Sequence, residues 1–378
     1  MFRRCAALAA TLALMLIAVV LADAKQPGLA SSKDLKIAVV DVEGGAATLF
    51  LTPEGRSLLI DTGWPPGFVF PKPKPGEPPP PVPTSSADRI AAAAAEMGIK
   101  KIDYLEMTHY HGDHLGGLQS LLEKLPVDTF IDHGPSRQPP PPNANAPQSP
   151  MSTDTLYGKW LAASQGHRHI TIQAGQTIEI GSLSLKFVAS DGNILSAPLH
   201  GAGEPNPLCK NVAPKAPAPV EDVASLGVLM TFGKTSILDF GDLTWDKELE
   251  LLCPVNKVGR VDVYFVPGHG NDLSNISPIA AFDPLVALLQ NGPRKGGDPD
   301  AIRIVNSIPE LEGFWQLHAD ALHPDLDSGP NYIANLNGEP DHAYSIELDI
   351  TKDGRITVTN PRNGFTKAYQ ARGMQARY

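Results

Sequence analysis

The amino-acid sequence predicts an α/β (α+β) fold in which two mixed β-sheets pack face to face and helices cover their outer surfaces. Three observations support this prediction. The chain begins with short strands in hairpin order, continues with strands and helices in alternation, and returns to hairpins before alternating again. Two such halves are typical of two packed sheets, because each sheet must bury one face against another layer. No internal repeat and no linker divides the pattern, so we expect one domain over residues 25–378.

The first half is predicted from short apolar runs and one alanine-rich segment. The apolar runs are bounded by turn residues, and Pro53-Glu54-Gly55 has the composition of a hairpin turn. The alanine-rich segment 87–97 is predicted to be a helix, and Gly98 is predicted to end it. The predicted strands are 36–42, 47–51, 57–61, 102–107 and 127–131, and the predicted helices are 87–97 and 115–125.

The second half follows the same logic. Turns at Gly233-Lys234 and Lys352-Asp353-Gly354 separate two predicted strand pairs. The predicted strands are 176–180, 183–189, 225–232, 235–240, 261–266, 286–290, 344–350 and 356–359. The predicted helices are 157–164, 246–252, 278–283 and 301–308. Three proline-rich segments, 65–84, 138–150 and 205–219, lie inside this pattern, and we expect extended surface loops there because proline fixes φ and lacks an amide hydrogen.

The first 24 residues have the three-part layout of a secretory signal peptide. Arg3 and Arg4 precede an apolar stretch over 6–21, and Ala22-Asp23-Ala24 follows it as a cleavage site. We therefore expect an exported protein, periplasmic or secreted; the alternative is an uncleaved membrane anchor. Cleavage leaves Cys209 and Cys253, for which an oxidising compartment favours a disulfide over two unrelated buried thiols.

Composition argues against a disordered chain and against a non-specific nucleic-acid-binding protein. Hydrophobic residues make up 42% and charged residues 19% of the chain, so it can bury a core. The formal net charge is −10 and aromatic residues contribute only 6%, so we expect no surface for non-specific nucleic-acid binding.

The run Thr108 to Gly117 (THYHGDHLGG) predicts a metal site. Four side chains that can bind a metal, His109, His111, Asp113 and His114, fall within six residues after an apolar strand. Histidine nitrogen and carboxylate oxygen suit Zn²⁺ in an open catalytic site. The alternative, a polar loop with histidines by chance, does not account for this density.

This run resembles the HxHxDH signature of the metallo-β-lactamase superfamily. The resemblance implies a four-layer αββα sandwich with one or two metal ions between the sheets. Later segments are similar to other elements of the family: LIDTG at 59–63, FGD at 240–242 and PGHG at 267–270.

The resemblance also implies a ligand set with one open position. His109 and His111 would bind a first metal, Asp113, His114 and His269 a second, and Asp242 would bridge them. The third ligand of the first metal is left open. By its place in the chain the segment 187–193 (FVASDGN) would supply this ligand, but it offers no histidine and only Asp191. His133 is the favoured alternative, because a right-handed crossover would return the end of strand 127–131 to the same rim.

The implied activity is hydrolysis of an ester, amide or phosphodiester by hydroxide that two zinc ions activate. Asp113 and Asp61 are the candidate catalytic residues: Asp113 would orient the nucleophile or carry a proton, and Asp61 would hold a ligand histidine in its metal-binding tautomer. In the segment 291–297, Lys295 and Asn291 would bind a negatively charged small-molecule or phosphodiester substrate. The alternative for that segment is a solvated basic turn.

Two other functions are compatible with the same residues. One is a di-iron oxidoreductase on this scaffold, and the other is a non-catalytic metal-binding module. Within the superfamily, the pattern is most similar to the hydrolase domain of DNA-uptake competence proteins, which suggests phosphodiester substrates.

Overall fold

The computed structural model describes residues 33–68, 84–138 and 149–373. The predicted signal peptide over 1–24 lies outside the described residues, as do most of the proline-rich segments 65–84 and 138–150. The third proline-rich segment, 205–219, is described. It contains a short 3-10 helix, Pro207–Asn211, and otherwise lacks helices and strands, as expected from its composition.

The described residues form strands that are short and mostly buried. In chain order they are β1 (Leu35–Val39), β2 (Thr48–Leu51), β3 (Ser57–Ile60), β4 (Ile102–Glu106), β5 (Val127–Asp132), β6 (Arg168–Thr171), β7 (Thr177–Ile180), β8 (Leu183–Ser190), β9 (Asn193–Ile194), β10 (Gly227–Phe232), β11 (Thr235–Asp239), β12 (Val263–Phe265), β13 (Val286–Leu289), β14 (Gly313–His318), β15 (Ile333–Asn335), β16 (Ile346–Ile350), β17 (Arg355–Asn360) and β18 (Phe365–Gln370).

These strands form two mixed sheets. The first has the order β18-β17-β16-β1-β2-β3-β4-β5-β6, and the second has the order β15-β14-β13-β12-β11-β10-β8-β7, with β9 paired to β8. In the first sheet β3, β4, β5 and β6 are parallel neighbours. In the second, β11 to β15 are parallel. In each sheet the carboxyl ends of several parallel strands therefore lie side by side.

Helices connect the parallel strands. They are α1 (Ser86–Glu96), α2 (Gly112–Leu115), α3 (Leu118–Leu122), α4 (Thr153–Ser164), α5 (Val220–Val223), α6 (Trp245–Leu252) and α7 (Pro299–Asn306). Short 3-10 helices cover Pro267–Gly270, Ser277–Phe282 and Pro330–Tyr332. None of the helices in the described ranges combines the length and the apolar character that a membrane span requires.

The side chains separate into three apolar layers, which confirms the predicted sandwich. Side chains alternate between the faces of a strand, so Leu58 and Ile60 point to one side of β3 and Leu59 to the other. The central layer lies between the sheets and joins residues of both, such as Ile60 and Ile237. One outer layer packs the first sheet against α1, α3 and α4, and the other packs the second sheet against α6 and α7.

The structure differs from the predicted elements in several places, including the predicted helix 278–283, which is a 3-10 helix over Ser277–Phe282. The predicted helix 115–125 is two short helices, α2 and α3, separated by Gly116 and Gly117. A Cβ at Gly117 would lie 2.1 Å from the carbonyl oxygen of Thr62, so only glycine allows α3 to pack this closely against the turn after β3. The strands β6, β9, β14, β15 and β18 were not predicted, because their short or mixed sequences carry no clear alternation.

Cys209 and Cys253 form a disulfide in the structure. The bond joins the proline-rich segment 205–219 to the end of α6. It lies on the side of the second sheet at which β11 and β12 begin, near the backbone pairing of Pro205 with Val255.

Candidate metal centre

The metal-binding side chains predicted from sequence lie where the parallel strands of both sheets end. Asp61 follows β3 and His109 follows β4 in the first sheet. Asp242 follows β11 and His269 follows β12 in the second. The two sheets thus contribute to one site from opposite sides, at the strand ends where α/β proteins commonly bind ligands.

The segment between β4 and α2 directs alternate side chains into this site. His109 and His111 point into it, whereas Tyr110 between them is completely buried and donates its hydroxyl hydrogen to the carbonyl oxygen of Gly134. The helix α2 then begins, and its first turn places Asp113 and His114 beside the histidines.

Two groups of ligand atoms result. The first ligand group is His109, His111 and Asp222, and the second ligand group is Asp113, His114, Asp242 and His269. Within each group one ligand atom from every residue lies within 4.8 Å of the others.

The second ligand group is compact and largely buried. His114 Nε2 lies 3.2 Å from His269 Nε2 and 3.3 Å from Asp242 Oδ1. His269 Nε2 lies 3.3 Å from Asp113 Oδ2 and 3.5 Å from Asp242 Oδ1. Two imidazole nitrogens and two carboxylates therefore converge on one small volume.

Hydrogen bonds on the far side of each ring decide which nitrogen faces that volume. His114 Nδ1 lies 2.7 Å from Asp61 Oδ2, and His269 Nδ1 lies 2.9 Å from the carbonyl oxygen of Gln290. Both acceptors require a proton on Nδ1, so Nε2 is the nitrogen that each ring turns toward the other ring and toward the two carboxylates. Two Nε2 atoms 3.2 Å apart beside two carboxylates need a shared cation, either a proton or a metal ion, so this donor set fits a metal ion.

The first ligand group contains a residue that the sequence analysis did not identify. Asp222, on the single-turn helix α5, places Oδ1 2.7 Å from His111 Nδ1 and 3.4 Å from His109 Nε2. This oxygen is buried and accepts no hydrogen bond from any described residue, although the histidine nitrogens are close. A buried carboxylate oxygen without a donor is costly, and a cation held by the three side chains would satisfy it.

Neither residue proposed from sequence as the third ligand joins this group. His133 Nε2 lies 3.2 Å from Glu221 Oε1 and faces away from the histidine pair, while Asp191 forms an ion pair with Arg137. Asp222 takes the position expected for His133 or Asp191. Its sequence signal is weak, because an acidic pair after a proline-rich segment resembles an ordinary helix start.

The charges in the site support its use as a cation site. Burial, together with the imidazoles of His114 and His111, holds the pKa of His109 well below its usual range, which leaves that ring neutral. Burial would raise the pKa of Asp242, but His269 and His114 outweigh it and hold this pKa below its usual value. Burial would likewise lower the pKa of His114, yet the carboxylates of Asp242 and Asp61 raise it well above 6.5.

The two predicted substrate-binding residues have different positions. The Lys295 ammonium contacts Asp113 Oδ2, donates to the carbonyl oxygen of Gly44 at 2.6 Å, and lies 5.0 Å from the centre of the Trp64 ring. It therefore borders the second ligand group. Asn291 is completely buried, and its side chain is bound to the backbone of His318, so it is not available to a substrate.

A third cluster of acidic and histidine side chains and a large cavity, both within the described residues, do not resemble the two ligand groups. Asp41, Glu43 and His318 form a third cluster, but the guanidinium of Arg89 bridges both of its carboxylates and already supplies the positive charge. A cavity of about 510 Å³ lies at the opposite ends of the strands of the second sheet. Its titratable lining includes Arg260, Asp262, Asp283 and Arg372, which pair with one another or with backbone groups.

Comparison with known proteins points to one family. Residues 41–193 match the family model described as the metallo-beta-lactamase superfamily. This range includes Asp61 and the run from His109 to His114. No curated protein sequence matches the chain significantly.

Several solved structures are similar to the chain at low sequence identity. The metallo-beta-lactamase fold protein YhfI from Bacillus subtilis is 14% identical over 75% of this chain and 95% of its own, with a TM-score of 0.43. CmlA, a diiron beta-hydroxylase from Streptomyces venezuelae, is 16% identical over 73% of this chain and 52% of its own, with a TM-score of 0.40. A candidate metal-dependent hydrolase from Parabacteroides distasonis is 14% identical over 74% and 91%, with a TM-score of 0.38.

Proposed function

Because this chain belongs to the metallo-β-lactamase superfamily of metal-dependent enzymes, we propose that it is an exported hydrolase that uses two zinc ions. The observation that carries the proposal is the pair of adjacent ligand groups at the strand ends. His109, His111 and Asp222 would hold one ion, and Asp113, His114 and His269 the other. Asp242, whose carboxylate lies within 3.5 Å of both histidine nitrogens of the second ligand group, would lie between the ions.

Zinc bound here would supply hydroxide at neutral pH and would polarise the bond to be cleaved. The chain's own residues define the rest of the chemistry. Asp61 accepts hydrogen bonds from Thr108 Oγ1 at 2.7 Å and from His114 Nδ1, and thereby fixes that ring. Asp113 is 13% exposed and contacts Lys295, and its carboxylate would orient water or accept a proton there.

Lys295 supports a substrate with a negatively charged group. Its ammonium borders the second ligand group and is only partly buried, with 18% of the side chain exposed. A cation in this place can bind a phosphodiester or carboxylate beside the bond to be cleaved. Asn291 does not share this role in our proposal, because its amide is fully engaged with backbone groups.

Export is supported by the disulfide. Disulfides persist in oxidising compartments and are rare in the reducing cytosol, so the Cys209–Cys253 bond agrees with the signal peptide expected over 1–24. Together they support our proposal of a periplasmic or secreted destination.

A di-iron oxidoreductase is the second candidate, and Asp222 is the observation that favours it. A third carboxylate in place of a histidine makes the donor set harder, and two histidines with one carboxylate are a common arrangement for non-haem iron. Hydrolysis remains our first proposal, since residues 41–193 match a superfamily whose members are usually metal-dependent hydrolases.

Metal content decides between these proposals. We would purify residues 25–378 without added metal, measure zinc and iron per chain, and assay phosphodiesters, lactones and β-lactams. About two zinc ions with hydrolysis of one of these classes would support the proposal. Iron in both sites would favour the oxidoreductase, and no metal after reconstitution would rule out both.

A further inference from the structure

We propose that Glu221, together with His133, is a positioning residue that holds Asp222 against the two histidines of the first ligand group. This inference rests on the proposed metal site. It assigns a function to His133, which lies close to the site without joining either ligand group.

The carboxylate of Glu221 is completely buried and accepts from four donors. Oε1 lies 3.2 Å from the backbone nitrogen of Tyr110 and 3.2 Å from His133 Nε2. Oε2 accepts from Ser136 Oγ at 3.1 Å and from the backbone nitrogen of Arg137 at 2.7 Å. These donors come from the segment that carries His109 and His111 and from the segment after β5, so one side chain ties α5 to both.

Asp222 depends on such a tie because its helix is short and further contacts of this segment, such as the hydrogen bond from Leu226 N to the carbonyl oxygen of Thr108, come from the backbone that follows it. Its helix, α5, has only four residues and no side-chain hydrogen bond at its start, and a helix this short is not stable alone. Asp222 Oδ1 contacts the two histidines of the first ligand group, with His111 Nδ1 at 2.7 Å, but these are the groups against which it has to be held. The backbone position of Asp222 is stabilised by the preceding residue, whose four contacts tie α5 to its surroundings.

Glutamine at position 221 tests this idea with almost no change in volume. A carboxamide has one acceptor oxygen, and its NH₂ group would face two of the four donors. Glu221→Gln therefore disrupts the contacts that orient α5 but leaves Asp222 itself unchanged. Asp262→Asn is the matched control: Asp262 is a buried carboxylate that accepts from Ser236 and Arg372 at the opposite end of the second sheet.

The experiment measures metal binding with zinc alone and with cobalt alone, whose visible absorption reports the ligand geometry. We expect Glu221→Gln to weaken one of two binding steps about 10- to 100-fold and to change the absorption of that ion only. His133→Phe, which removes one donor, should act in the same direction with a smaller effect. Asp262→Asn should bind both ions as the wild type does, even if its thermal stability is lower.

Asp222→Ala separates this inference from the proposed function. If Asp222→Ala binds two ions as tightly as the wild type, the first ligand group is not a metal site and the proposed function loses its support. If Asp222→Ala loses one ion but Glu221→Gln binds both normally, the metal site stands and the positioning role is overturned. Weakening of both steps in Asp262→Asn would also overturn it, because general destabilisation would then explain the result.

Discussion

Single residues decide which nitrogen of each histidine faces the metal centre. The Nδ1 atoms of His114 and His269 are committed to Asp61 and to a backbone carbonyl, so their Nε2 atoms are free to bind. In the first ligand group His109 presents Nε2, whereas His111 presents Nδ1, the nearer nitrogen to Asp222. The orientations of His114 and His269 thus come from neighbours outside the ligand set, and substitution of those neighbours tests their role.

Asp61→Asn is expected to weaken metal binding at the second ligand group. Asp61 accepts from both the backbone and the hydroxyl of Thr108 as well as from His114, and an amide cannot accept on both ends. Loss of such a partner typically costs 10- to 100-fold in metal affinity or activity. Zinc titration of the metal-free protein would measure it.

Asp103→Asn is the control for that prediction. Asp103 is also a buried carboxylate and accepts from Ser57, but it lies at the start of β4, away from the metal centre. Its variant should bind zinc normally. Equal losses of affinity in the two variants would contradict the role of Asp61.

Lys295→Met should raise KM for anionic substrates by roughly 10-fold, since an interaction with a charged group is worth about 1.5 kcal/mol. A neutral ester should be affected much less. The exposed Lys234 provides the control, Lys234→Met, because it lies in the turn after β10. Steady-state kinetics on one charged and one neutral substrate would measure both, and equal effects on the two substrates would argue against the role.

At the scale of elements, the two sheets are held together beside the metal centre by an ion pair. His318 ends β14 of the second sheet, and its Nε2 lies 2.7 Å from Oδ1 of Asp41, which follows β1 of the first. Arg89 of α1 binds the same carboxylate. This buried network supports the segment 41–46, whose Gly44 carbonyl accepts from Lys295.

The ion pair should make stability depend on pH. Burial would lower the pKa of His318, but Asp41 outweighs it and raises this pKa. A raised histidine pKa stabilises the folded state fully below about pH 6.5, and the contribution is lost as the pH rises through the folded pKa. Burial would raise the pKa of Asp41, yet His318 and Arg89 lower it, so its contribution is lost only in acid, below about pH 4.

His318→Gln should therefore cost about 1.5–3 kcal/mol of unfolding free energy near pH 6, and this difference should shrink as the pH rises. Urea denaturation between pH 6 and pH 9.5 would measure it. His323→Gln is the matched control, because His323 pairs with Asp320 but is 37% exposed. A difference from the wild type that stays constant with pH would show that the ion pair is not responsible.

At the scale of the whole molecule, the centre exists only because two separate sheets end at the same place. The first sheet supplies His109, His111, Asp113 and His114, while the second supplies Asp242 and His269. Stability of the sandwich and occupancy of the proposed metal sites should therefore be linked, since a metal ion would bind the folded state preferentially.

Reduction of the disulfide should lower stability without emptying the metal centre. The bond closes a loop with a sequence separation of 44, for which chain entropy corresponds to roughly 4 kcal/mol. It lies on the side of the second sheet where β11 and β12 begin, away from both ligand groups. Urea denaturation with and without reductant would give the difference, and zinc analysis would show whether both ions remain. Loss of zinc on reduction would contradict this separation.

Local patterns in the sequence determined the layered fold and most of the metal centre. Alternating apolar residues identify strands without knowledge of the partner strand, and four ligands within six residues stand out at any position. The motifs after β3, β11 and β12 could be recognised because each directly follows an apolar strand. The order of strands in each sheet was not accessible in this way, since β16 pairs with β1 across more than 300 residues.

Only the tertiary structure identified Asp222 as the third member of the first ligand group and showed that His133 and Asp191 lie outside it. Asp222 and His133 are 89 residues apart in sequence, and both reach the same rim through the packing of α5 against the end of β5. Sequence spacing carries no information on such a contact, because the donors to Glu221 come from two segments that lie far from it in sequence. The sequence gives the type of each residue. Burial and hydrogen-bond partners distinguish a metal ligand from a residue that positions it, and both arise only when the two sheets pack together.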